Sequence, residues 1–160
     1  MKSGFNYTEY LNWVKQLDIT KERFDIFLKQ FLLEQAQRCV ALCKKRQRAV
    51  GAIDTGAMIN SWSIGSQHIE LKSTGSKSKS GKDAVIMDIA NSDVANIVVV
   101  GDTLQVEIYN PMEYASFIEY GQRSYQGKYI LTISIDTIQK AIPGRFDKAF
   151  HEFLKQGGVI

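Results

Sequence analysis

The chain has 160 residues, 44% of them hydrophobic and 23% charged, the proportions of an ordinary globular protein long enough to build one core. A net charge of +3 is too small to argue for nucleic acid by itself, and no apolar run approaches the ~20 residues needed to cross a bilayer. Met1-Lys2-Ser3-Gly4-Phe5-Asn6 is not followed by an apolar h-region, so no secretory leader and no membrane partner are expected.

Taken in order, residues 7–18 predict a short amphipathic helix, with Tyr10, Leu11, Val14 and Leu17 on one side and Trp13 at its border. Thr20 can cap the next helix, although Arg23 in place of glutamate leaves the capping box incomplete. That helix is predicted from Lys21 to Ala49. Phe24, Phe27, Phe31, Gln35 and Leu42, flanked by Leu28, Leu32 and Cys39, trace one apolar stripe with a single polar break. At 1.5 Å per residue it would span ~43 Å, more than one compact domain needs, so its spare length could be offered to a neighbour. Cys39 and Cys43 lie one turn apart on it and suit two reduced core thiols, since no second pair of metal ligands accompanies them. Lys44, Lys45, Arg46 and Arg48 complement the negative end of the helix macrodipole.

After Gly51, the cap-forming Asp54 and Thr55 precede a short turn from Gly56 to Asn60. Ser61 to Leu71 reads as a strand, with Trp62, Ile64, Ile69 and Leu71 apolar and a break at Gly65-Ser66. Residues 72–82 contain only lysine, serine, glycine and threonine, among them Lys72, Lys77, Lys79 and Lys82, and predict a flexible basic loop. Ala84–Ala90, Ile97–Val100 and Leu104–Tyr109 complete an antiparallel meander of about four strands, with Gly101-Asp102 as the hairpin turn between the last two.

Asn110-Pro111 then ends the sheet, and the period changes to that of a helix. Tyr114, Phe117, Ile118 and Gly121 fall at helical spacing, so an aromatic face packed between the sheet and the long helix is expected, closing on a C-cap glycine. Ser124–Lys128 is a polar connection. Leu131, Ile135, Ile138 and Ile142 fit a helix that Pro143-Gly144 should break, and Phe146, Ala149, Phe150, Phe153 and Leu154 fit a second one. The whole is a single α+β domain over residues 1–160, in which a long N-terminal helix packs on an antiparallel sheet and C-terminal helices follow.

Chemistry has little foothold. Asp54-Thr55-Gly56-Ala57 matches the active-site signature of retroviral-type aspartic proteases, whose mechanism needs two carboxylates sharing a proton at a dimer axis. That motif belongs at the end of a strand in an almost wholly β domain, whereas here it follows a basic helix. His68 and His151 stand in unrelated contexts, no serine sits in a nucleophile elbow, and no glycine-rich loop precedes Lys-Ser/Thr. No enzymatic activity, cofactor or metal is therefore expected. The two lysine- and arginine-rich segments leave a non-specific nucleic-acid-binding module as the alternative, but neither interleaves aromatics for base stacking.

Three segments carry a family resemblance. They are the long basic-ended helix running into Asp54-Thr55-Gly56-Ala57 and Asn60-Ser61-Trp62, then Val106-Glu107-Ile108-Tyr109-Asn110-Pro111-Met112-Glu113-Tyr114-Ala115 continuing through Phe117-Ile118-Glu119-Tyr120-Gly121, then Tyr129-Ile130-Leu131-Thr132-Ile133-Ser134. In kind and order the chain resembles the tail-completion, or head–tail joining (neck), proteins of tailed bacteriophages and prophage tail-like particles. It departs from them where Ala49-Val50-Gly51-Ala52-Ile53 replaces a Thr-Pro-Val and where Gln122 replaces a common histidine. The resemblance implies a structural virion subunit, made in the host cytoplasm and working in a homo-oligomeric ring at the top of the tail. Its partners would be the tail tube, a tail terminator or a head connector, with possible DNA in the channel. Lys72, Lys77, Lys79, Lys82, Tyr114, Phe117, Glu119, Tyr120 and Arg123 are the candidate interaction residues, and Asp54, Thr55 and Gly56 the candidate turn and cap.

Overall fold

A computed structural model of the chain describes residues 2–6, 8, 20–65, 71–87 and 97–157. Helix α1 spans Lys21–Ala49, the range that periodicity predicts. The Thr20 hydroxyl accepts a bond from the Arg23 amide at 3.4 Å and so caps its first turn. Gly51, at a φ of 67°, turns the chain away at the other end. The predicted N-terminal helix over 7–18 falls almost wholly outside the described residues, as does His68.

The expected break at Pro143 does not occur: helix α4 runs unbroken from Ile130 to Gln156 with Pro143 inside it. Proline removes one rung of the ladder at a cost of ~3 kcal/mol. It sits here on the exposed side of the helix, while Ile142 and Phe146 on either side of it are buried. Each such side chain is stabilised by ~1.5–3 kcal/mol on burial, which together offsets the lost rung. What holds α4 to α1 is an antiparallel run of phenylalanines. Phe24 meets Phe150 edge-on at 5.8 Å, Phe27 stacks on Phe153 at 4.6 Å, and Phe31 meets Phe146 edge-on at 5.2 Å. The polar break in the stripe is also satisfied, since Gln35 accepts a bond from Arg145 on α4 at 3.0 Å.

The sheet is α+β in the sense expected but differently wired. Strand β6 (Thr103–Tyr109) is its spine, and β1 (Lys2–Asn6), β2 (Ser63–Ile64) and β5 (Ile97–Val100) all pair with it antiparallel. Its Leu104, Val106 and Ile108 alternate onto the two helices and complete the core. Strand β1 was not foreseen, because Lys-Ser-Gly-Phe-Asn has no alternation to reveal it.

Residues 72–82, expected as a loop, form a hairpin instead: β3 (Leu71–Lys77) pairs with β4 (Asp83–Met87). The segment's own composition gives no reason for order. Order comes from its partner strand and from local bonds, with the Thr74 hydroxyl donating to the Ala84 carbonyl at 3.1 Å and Lys77 paired to Asp83.

Between α1 and this hairpin sits the one-turn helix α2 (Ala57–Asn60). A buried glutamine ties the segment to α1. Gln47 donates to the Ala52 carbonyl and accepts from the Trp62 indole, both at 2.8 Å. Both the nitrogen and the oxygen of this buried amide thereby find a partner.

Candidate functional site

Asn110 and Pro111 turn the chain out of β6 and into helix α3 (Ala115–Tyr120). The Asn110 amide donates to the Met58 carbonyl at 2.8 Å, and its side-chain oxygen accepts from the Met112 amide at 3.2 Å. Met112, Ala115 and Ile118 then pack on the core. Their spacing rotates the other stripe outward, so the expectation of a buried aromatic face is corrected. Tyr114 is 41%, Phe117 46% and Tyr120 62% exposed.

Past α3 the chain makes a two-rung hairpin, β7 (Gly121–Gln122) with β8 (Tyr125–Gln126), before entering α4. It adds Tyr125 and Tyr129, also exposed, to the same stretch of chain. Lys128 lies over the Tyr125 ring at 5.5 Å, a cation–π contact that keeps the charge beside the aromatic surface.

This outward surface is held unusually tightly from beneath. The Lys128 and Tyr129 amides donate to the Ile118 and Glu119 carbonyls at 2.8 and 3.0 Å. A Cβ on Gly121 would lie 2.4 Å from the Tyr125 carbonyl oxygen, and one on Gly127 2.5 Å from that of Glu119. Both positions therefore require glycine for close backbone approach. Among the described residues, Arg123 at φ 52° and Tyr129 at φ 48° are the non-glycine residues with positive φ, the first in the turn between β7 and β8 and the second at the N-cap of α4. Backbone strain of this kind persists only where the surroundings over-determine it, and it concentrates at functional sites.

Glu119 was expected among the interacting residues. The structure turns it inward, 5% exposed, where its two carboxylate oxygens accept from the Leu131 and Thr132 amides at 2.9 and 2.8 Å. It thereby satisfies orphan donors at the start of α4, whose own N-cap residue offers no side-chain bond, and places negative charge at the positive end of the helix. Glu119 fastens the aromatic segment to α4 and is not part of its outer surface.

The Asp-Thr-Gly turn lies alongside. Neither Asp54 nor Thr55 is the N-cap of α2, which is Gly56; the Thr55 hydroxyl accepts from the Ala57 amide at 3.2 Å and closes the turn that leads into the helix. Gly56 has φ 86°, and a Cβ there would meet the Val85 carbonyl oxygen at 2.9 Å. Asn60 donates to that same carbonyl at 3.0 Å, and the Val85 amide donates to Thr55 O at 2.8 Å, so the turn is stitched to β4. Asp54 reaches over to the hairpin tip and accepts from both the amide, at 3.0 Å, and the hydroxyl of Ser80. Those bonds, with Lys82 nearby, hold its carboxyl below the usual carboxylate range. Partial burial pushes the Tyr114 phenol up. An open groove of about 550 Å³ runs between Asp54, Met58, Lys82, Tyr114 and Ile118.

The four lysines of residues 72–82 do not act alike. Lys77 is paired with Asp83, Lys82 lines the groove beside Asp54, Lys79 is exposed at the turn, and Lys72 belongs to β3 by its backbone. Cys39 and Cys43 are free and buried, and the hydrogen bond to Cys43, reinforced by burial, holds the Cys39 thiol protonated. No group of three metal-ligating side chains occurs among the described residues, and no helix there is long and apolar enough to cross a membrane.

Tyr125 and Lys128 are not legible as site residues because Ser124–Lys128 looks like a polar linker, and Tyr129 is legible only as the start of the Tyr129–Ser134 segment. The recurrence of tyrosine at 120, 125 and 129 around two glycines is the signal that was available.

The described residues form an α+β fold with an exposed aromatic segment fixed by close backbone packing. A comparison with known families finds a match. Residues 13–121 match the HK97-gp10-like family, described as "Bacteriophage HK97-gp10, putative tail-component". The match spans most of the chain, and the protein belongs to that family of phage tail components. It takes in the Asp-Thr-Gly turn and α3 but stops at Gly121, before Tyr129–Ser134. No curated protein and no solved structure matches the chain.

Proposed function

We propose that the protein is a structural, non-enzymatic subunit at the top of a phage or phage-like tail, completing the tube or joining tail to head as one member of a ring. On this reading it is made in the host cytoplasm and ends in the virion, seated against the tail tube, a terminator or a head connector. The observation that carries the proposal is the aromatic surface of Tyr114, Phe117, Tyr120, Tyr125 and Tyr129. It is exposed in the subunit yet held by two obligatory glycines, two positive-φ residues and the Glu119 cap. Rigid tyrosine- and phenylalanine-bearing surfaces with an arginine at the edge are the composition of interface hot spots. Preorganisation of this kind lowers the entropy lost on docking.

Asp54 supports the non-enzymatic reading, since its carboxylate is engaged by Ser80 and braces a hairpin. Any contact with DNA in the channel would draw on the basic residues of 72–82, of which Lys79 is exposed at the turn and Lys77 is paired with Asp83. Such contact would be non-specific and lost with salt.

The test is a cryo-electron-microscopy map of the assembled particle. The proposal expects density for this chain in a ring at the head-proximal end of the tail with the α3 surface buried against another subunit. Density elsewhere in the particle, or an α3 surface left in solvent there, would contradict it.

A further inference from the structure

A second exposed apolar surface lies at the other end of β6. Val98, Val99 and Val100 are 56%, 56% and 53% exposed on consecutive residues of β5. Val98 and Val100 lie opposite Gln105 and Thr103, on the solvent side of the sheet. Val99 lies opposite the buried Leu104 yet is 56% exposed, so beyond Ile97, which packs against the core, this end of the strand is open on both faces. Three adjacent exposed valines on a strand are a liability that soluble proteins ordinarily blunt with charge.

The two surfaces differ in charge as well as place. From Ile97 to Thr103 the one charged residue is Asp102, exposed at the turn. Across the aromatic segment the charged residues are the exposed Glu113 beside Tyr114, the buried Glu119, and Arg123 and Lys128, so its Tyr120–Ile130 part carries the positive charge. The seven residues of β6 separate the two surfaces by about 20 Å along the strand. They are therefore different, non-overlapping patches of complementary charge and matching apolar character.

We infer that the valine surface of β5 in one copy docks on the aromatic surface of α3 and β7–β8 in the next, with Asp102 facing Arg123 and Lys128. The inference rests on the assembly role proposed above and names the occupant of its aromatic surface as a second copy of the chain. A contact between two unlike patches is heterologous. It leaves one free patch at each end of a pair, so it propagates until it closes as a ring or continues as a filament.

The experiment is native mass spectrometry with sedimentation velocity on the purified full chain and two variants. One variant carries Val98→Lys and Val100→Lys, the other Phe117→Asp and Tyr120→Asp, all at exposed positions, with circular dichroism confirming the fold. The wild type is expected to form species larger than dimers, and each variant alone to be monomeric. An equimolar mixture of the two variants is expected to give a one-to-one dimer and nothing larger, because each copy keeps the patch that its partner lacks. Asp102→Arg alone should lower assembly, and combining it with Arg123→Glu in the same chain should restore it. A monomeric wild type, a wild type that stops at two copies, or a variant mixture that stays monomeric would overturn the inference. A monomeric wild type whose aromatic surface is buried against a different protein in the particle would leave the proposed function standing.

Discussion

Phe146 and Phe117 carry the same side chain into opposite surroundings. Phe146 is fully buried between Phe27, Phe31 and Phe150, whereas Phe117 is 46% exposed on α3 among tyrosines. Both sit on helices at spacings that make an apolar stripe, so periodicity alone assigns both to a core. What separates them is the surface available opposite. α4 faces a second helix of like length with phenylalanine in register, and α3 has only six residues and spends its inward side on Ala115, Ile118 and Glu119. A helix so short has one stripe's worth of core to fill, and a second aromatic stripe on it must face outward.

Substitutions separate the two environments. Phe146→Ala should destabilise the fold by ~3–5 kcal/mol, read as a lowered denaturant midpoint at unchanged slope, because it opens a cavity in the helix interface. Gly127→Ala comes next. Its Cβ would press into backbone at 2.5 Å, so a loss of ~1–3 kcal/mol is expected, with the hairpin's amide exchange accelerated first. Glu119→Ala leaves the partly buried Leu131 and Thr132 amides without their acceptors and should cost ~1–3 kcal/mol by the same denaturant measurement. Phe117→Ala should change stability by no more than ~0.5 kcal/mol, as surface substitutions do.

The smallest effect is a pH dependence. The Asp54 carboxyl is held below its ordinary value by Ser80, so its bond to the hairpin is present at neutral pH and is lost as pH falls through that lowered value. Amide exchange at Ser80 should quicken in acid below the usual carboxylate range, and Asp54→Asn should flatten that response without unfolding the protein. A pH response that persists in the Asn variant would assign it to another group.

The legible parts of this fold are those with strong local periodicity. The bounds of α1, the glycine cap after Tyr120 and the Gly101-Asp102 turn follow from the chain itself. The illegible parts depend on partners distant in sequence. Strand β1 forms because β6 offers an edge to it, not because Lys2–Asn6 alternates. Residues 72–82 are ordered by β4 and by Asp54, which lie outside the segment. Pro143 stays helical because Phe146 and Phe150 meet a partner helix that begins more than a hundred residues earlier. At the site, Tyr114, Phe117, Tyr120 and Arg123 were named from sequence, but which side chains face outward was not, since that is decided by what α3 packs upon. Glu119 was misassigned for the same reason, as its role depends on the amides of Leu131 and Thr132.

If the exposed aromatics serve assembly and not folding, changing them alters incorporation and leaves stability untouched. The most direct test measures both quantities on one variant carrying Phe117→Asp and Tyr120→Asp: its unfolding free energy in solution, and its incorporation into particles made in cells that lack the wild-type chain. The account predicts an unfolding free energy within ~1 kcal/mol of the parent, together with particles that lack the subunit and fail to join tail to head. Normal incorporation of this variant, or an unfolded variant protein, would contradict it.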